Sequence, residues 1–148
     1  MNKFLKKFLI LFFIITNNAT TEEINVDNIL VLTTTKGIVR IELFEDIAPN
    51  HVKRIKLLAQ EGMYDGVVFH RVIEGFMAQT GDVQHGNAND SNYNLSKAGI
   101  GGSEFPNLKE EFSDLPHERG TLSMARSQDP NSANSQFFIC LAEASFLD

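Results

Sequence analysis

The stretch FHRVIEGFMAQTGD, from Phe69 to Asp82, sets one permanent cation among apolar side chains. Arg71 lies near Phe69, Phe76 and Met77, with the amide of Gln79 close by. No serine, cysteine or carboxylate in that run is placed as a nucleophile. Such a set fits chemistry in which charge is stabilised beside an apolar surface and no covalent bond is made. Arginine suits it because it stays charged and holds its donors in a rigid fork. Taken alone, the pattern leaves a plain alternative open: Arg71 as a surface ion-pairing residue and the phenylalanines as core. Other chemistries lack their residues. GxxxxGK[ST], GxGxxG after a strand, and GxSxG are all missing from the sequence. His51, His70, His85 and His117 show no metal-binding spacing. Asp82 to Asn94 is rich in oxygen ligands but lacks the order and closing Glu of a calcium loop, so a solvated loop is expected. Cys140, the single cysteine, sits in the apolar run QFFICL and reads as a buried structural thiol.

These residues need a scaffold. Ile29–Thr34 and Ile38–Leu43 read as two strands of a hairpin turning at Thr35-Lys36-Gly37. In the second strand Val39, Ile41 and Leu43 form one face. Pro49 opens a helix with Val52, Ile55, Leu58 and Ala59 inward and Lys53, Arg54 and Lys56 outward, and Gly62 as its stop. Strands are expected at Val67–Val72, Phe76–Thr80, Thr121–Ala125 and Gln136–Leu141. Alternation in the first of these puts Val67, Phe69 and Arg71 on one face. Gln84–Ser103 reads as a loop, and Ser127–Asn134 as a turn. Phe105, Leu108 and Phe112 are expected as apolar anchors in a partly helical or turn segment. Many short strands and few helices indicate a mainly β barrel or sandwich.

The chain has 148 residues, enough for one domain, and 43% hydrophobic residues, enough for a core. A formal net charge of −6 argues against a nucleic-acid partner. Lys3, Lys6 and Lys7 precede the apolar run Phe8–Ile15, the layout of a secretory signal and too short to span a bilayer. Cleavage is expected after Ala19, although Asn17 is a poor residue two places before it. Losing the three leader lysines takes the charge to −9. Residues 1–19 are thus read as a signal peptide, 20–28 as a flexible lead-in and 29–148 as the domain. Export is expected, with no stable membrane insertion after cleavage.

FHRVIEGFMAQTGD resembles the signature of the cyclophilin-type peptidyl-prolyl isomerases. TKGIVRIELFEDIAPNHVKRIKLLAQEGMYDGVVFHRV, GTLSMARSQDPNSANSQFFI and the final SFLD are similar to further segments of that family, in order and spacing. The resemblance runs from about Ile29 to Asp148. It implies a closed antiparallel eight-stranded barrel with capping helices, here without the last two strands and second helix. The chain would then be a fragment of a longer protein. It implies catalysis of X–Pro bond rotation in polypeptides, without metal or cofactor, by a monomer. By this resemblance Arg71 is the catalytic residue. Phe76, Met77 and Phe138 line the proline pocket, and Leu147 forms its wall. Gln79 and Gln136 hold substrate or position Arg71, and Ala125 and Arg126 offer backbone groups to the peptide. Phe146 stands where many members carry a tryptophan that bonds the drug cyclosporin, so weak cyclosporin binding is expected. A non-catalytic proline-binding module and an inactive truncated product are the competing functional readings.

Overall fold

The computed structural model describes residues 26–148. The expected signal peptide and residues 20–25 of the lead-in lie outside the described residues. The end of the lead-in is held to the domain. Val26–Asn28 forms a 3₁₀ turn, Leu43 N donates to Asn28 O at 2.8 Å, and Lys56 Nζ donates to Asn28 Oδ1.

Among the described residues the fold is mainly β with one α-helix. β1 (Ile29–Thr34) and β2 (Gly37–Glu42) pair in the register Ile29↔Glu42 to Thr34↔Gly37. Their turn is local chemistry. Lys36 N donates to Thr34 Oγ1 at 3.0 Å, and Gly37 takes φ +136°, a conformation that favours glycine. α1 (Pro49–Gln60) begins at its proline and ends in a Schellman motif. Gly62, at φ +68°, donates to Ala59 O, and Met63 N donates to Leu58 O. Ala48 cannot cap the helix start, so a distant side chain does. Glu111 accepts from Asn50 N at 3.1 Å and His51 N at 3.0 Å, and its charge faces the positive end of the helix.

The second sheet has the strand order β3-β4-β6-β5, all antiparallel: β3 (Arg71–Ile73), β4 (Met77–Thr80), β5 (Leu122–Met124) and β6 (Phe137–Cys140). β3 is shorter than the expected Val67–Val72. Upstream of Arg71 the backbone turns its bonds to a loop: Val68 N donates to Gly86 O, and Thr80 Oγ1 donates to Val68 O. Val67 makes only an isolated bridge, to Asn87. The expected one-face row of Val67, Phe69 and Arg71 therefore has no ladder to carry it.

Among the described residues the hairpin and the four-stranded sheet are separate ladders. An open cavity of about 1080 Å³ lies between β2, α1 and β5. Leu43, Val52, Ile55 and Phe137 form the packed core, with Leu30, Ile41, Tyr64, Leu122 and Met124 against it. Two expectations fail here. Arg54 is buried instead of outward: its guanidinium donates to Pro106 O at 2.9 Å and Asn134 O at 3.3 Å and covers the Phe105 ring at 5.1 Å. Neighbouring loop carbonyls need those donors, which outweighs the preference of a cation for solvent. Phe112 is not a core anchor but 70% exposed, and the 105–112 segment carries no helix.

Candidate active site

Register brings the chemistry together. Arg71 pairs with Gln79 across β3–β4, Gln79 with Phe138 across β4–β6, and Ser123 with Phe138 across β5–β6. Directly opposed residues share a sheet face. Arg71, Gln79, Phe138 and Ser123 thus form one row, and Met77, two residues from Gln79, joins the same face. β4 and β6 are the central strands of this sheet, so the row rests on a fully paired backbone at its middle.

A cavity of about 400 Å³ lies over that face, within the usual size of small-ligand sites. Arg71, Phe76, Met77, Gln79, Ala125, Arg126, Phe138 and Leu147 line it. These are eight of the ten residues expected at the site. Of the other two, Gln136 lies behind Gln79, accepting its Nε2 at 2.9 Å. Phe146 is 73% exposed, its ring 5.3 Å from that of Phe76, so it forms an outer rim. Ala125 N is already used, donating to Gln136 O at 2.9 Å, which leaves the carbonyl as the group it can offer a peptide. The Arg126 guanidinium turns to Ser127 O and lies 5.8 Å from the Phe112 ring.

Arg71 is exposed, and its Nη1 donates to Gln79 Oε1 at 3.4 Å. An apolar floor beside an exposed guanidinium can hold a small ring and aim a donor at it. The Cys140 thiol is buried, and burial pushes its pKa up, away from thiolate reactivity. Among the described residues no group of three or more His, Cys, Asp or Glu converges as a metal site.

The family model described as cyclophilin type peptidyl-prolyl cis-trans isomerase/CLD matches residues 29–148. The chain belongs to this family. It is 54% identical over 122 residues to the "Probable peptidyl-prolyl cis-trans isomerase" of Brucella suis biovar 1 (strain 1330), covering 82% of this chain and 62% of that protein. It is 37% identical over 115 residues to "Peptidyl-prolyl cis-trans isomerase B" of Escherichia coli (strain K12), covering 78% and 63%. A crystal structure of a Hirschia baltica cyclophilin is similar at TM-score 0.67 and 31% identity, covering 82% of this chain and 60% of that one. A Cryptosporidium parvum cyclophilin type isomerase, crystallised in the presence of the dipeptide Ala-Pro, is similar at TM-score 0.68 and 30% identity, covering 81% and 72%. The chain thus spans about three fifths of the curated relatives it matches.

This cyclophilin chain also holds site residues that sequence reasoning missed. His117 stacks on Phe138, with centroids 6.2 Å apart and planes at 12°. Its Nδ1 lies 2.8 Å from Asp148 Oδ1, and its Nε2 lies 3.3 Å from Ser123 Oγ. Hydrogen bonds from the His117 side chain and backbone hold the Asp148 carboxyl below the usual range. The pair fixes the turn that carries Leu147. A histidine read only for metal spacing gives no sign of this, since its partner is 31 residues away.

Proposed function

We propose that the protein is a peptidyl-prolyl cis-trans isomerase acting on X–Pro bonds of polypeptides, with Arg71 as its catalytic residue. The observation that carries this reading is the shared face of Arg71, Gln79, Met77 and Phe138 under one cavity. The X–Pro bond rotates over tens to hundreds of seconds unaided, because resonance makes it partly double. Rotation breaks that resonance and gives the nitrogen an available lone pair. A donor aimed there stabilises the twisted state more than the planar one. Met77 and Phe138 hold the proline ring while the preceding residue turns. Nothing in this reaction calls for a nucleophile, metal or cofactor.

The leader-like N-terminus supports an exported protein of the bacterial periplasm that assists folding there. The outward Phe146 supports weak cyclosporin binding, because a phenyl ring offers no N–H donor where an indole would. A cis/trans exchange measurement on a short X–Pro peptide tests the activity. Equal exchange with and without the full protein would overturn it. Terminal mass spectrometry of the mature protein tests export; retention of Met1 would contradict cleavage.

A further inference from the structure

The hydrogen bonds that orient Arg71 continue out of the sheet. Gln79 accepts from Arg71 Nη1 through Oε1 and donates through Nε2 to Gln136 Oε1. A glutamine amide has an acceptor side and a donor side, so each of these could be inserted two ways. Only one insertion gives the cation an acceptor. The choice is made beyond Gln136, whose Nε2 donates to both Gly99 O at 3.0 Å and Gly101 O at 2.7 Å. With its N–H groups facing carbonyls, Gln136 must turn its oxygen to Gln79. Gln79 must then turn its own oxygen to Arg71.

The turn that supplies those carbonyls is held by one carboxylate. Asp82 is fully buried, just beyond β4. Its Oδ2 accepts from Gly99 N at 2.7 Å and Gly101 N at 3.0 Å. Its Oδ1 accepts from Gln84 N at 3.0 Å and His85 N at 2.9 Å. The two residues that bind Asp82 through their N–H groups are therefore the two that bind Gln136 through their carbonyls. Burial pushes the Asp82 carboxyl up, but the four N–H donors outweigh this and hold it below the usual range. Gly99, at φ +101°, packs so close that a Cβ would sit 2.6 Å from the His70 ring, so the turn has little room to shift.

We infer that Asp82 is a positioning residue for isomerisation: through the Gly99–Gly101 turn, Gln136 and Gln79, it sets the orientation of the Arg71 guanidinium. The kinetic consequence rests on the isomerase reading, while the orientation itself does not. The four N–H donors also leave Asp82 no role as a calcium ligand, which accounts for the acid that opens the oxygen-rich loop.

The test is Asp82→Asn in the full protein. An asparagine has one oxygen for four N–H donors, so one side of the turn meets an N–H group instead of an acceptor. The expected result is a kcat lower by about tenfold to a hundredfold with KM for an X–Pro tetrapeptide little changed. The Arg71 guanidinium ¹⁵N–¹H resonance should move with it. In a Gln136→Leu background the same substitution should add nothing, because the relay is already cut. A folded D82N protein with wild-type kcat and an unmoved Arg71 resonance overturns the inference, as do additive losses in the double variant. If D82N fails to fold, Gly99→Ala strains the same turn, and the same two readouts decide. If the wild-type protein shows no turnover, the isomerase reading is what fails, and the Arg71 resonance alone judges the relay.

Discussion

Removing the guanidinium tests the proposed chemistry most directly. Bringing X–Pro rotation from tens of seconds to milliseconds takes roughly 10⁴-fold, about 5–6 kcal/mol. One charge-assisted hydrogen bond contributes about 1.5–3 kcal/mol, so Arg71 supplies part of that and the grip on the ring the rest. Arg71→Ala should therefore lower kcat/KM by about 10- to 100-fold, not abolish it. Arg71→Lys should fall between, since an ammonium keeps the charge and loses the fork. Stability should change by less than about 0.5 kcal/mol, because the side chain is exposed and its Gln79 bond is long. Exchange spectroscopy on a tetrapeptide gives the rate, and urea unfolding gives the stability. A folded R71A protein keeping more than about half of the wild-type rate would refute the assigned role, since even the weakest such bond is worth about tenfold.

Phe138→Ala should raise KM markedly, because burying such a ring contributes about 1.5–3 kcal/mol, and should shift the imidazole resonances of His117, which loses its stacking partner. Glu111→Ala should cost about 1 kcal/mol by uncapping α1, read by urea unfolding. Burial pushes the Glu111 carboxyl up, but the N–H groups of His51 and Asn50 outweigh it and hold it below the usual range. That stability should be complete above the unfolded value of about 4.3 and vanish as pH falls through the lower folded value, so wild type and E111A should converge in acid. Phe146→Trp should tighten cyclosporin by about fivefold, the effect of one neutral hydrogen bond of about 1 kcal/mol, measured by calorimetry. Longer X–Pro peptides, which cover Arg71, should turn over faster than capped dipeptides, and this gain should shrink in R71A; an equal gain there would count against desolvation of the cation.

Local patterns carried much of the fold. The β1–β2 turn, Pro49 and Gly62 each act within a few residues, and the structure places them as expected. What stayed hidden depends on partners far along the chain. The cap of α1 comes from a residue 61 positions away, and Arg54 is drawn inward by carbonyls of Pro106 and Asn134. Alternation also overstated β3, because Val68 finds Gly86 in place of a strand neighbour. For the site, motif resemblance supplied residues that the register then brought to one cavity. It gave no sign that Phe146 points outward or that Asp148 holds His117. Nor did it connect Asp82 with Gln136, since that contact runs through the backbone N–H and C=O groups of Gly99 and Gly101, which no side-chain motif registers.

The exposure of Arg71 bears on how such a site can work. An exposed ion pair or hydrogen bond is worth little in water, so an uncovered guanidinium is a weak catalyst. The protein cannot bury this cation permanently, because an unpaired buried charge costs several kcal/mol. The arrangement seen here avoids both limits. Gln79 gives the cation a neutral acceptor, which steadies its direction without cancelling its charge. Under the proposed isomerase reading, the apolar floor of Met77 and Phe138 would let the substrate itself exclude water as its ring seats. The long bond from Arg71 to Gln79 is consistent with catalytic contacts that tighten only around bound substrate. On this reasoning the guanidinium must be aimed before the peptide arrives. That places the demand for rigidity on the strands and turn behind it and not on Arg71 itself.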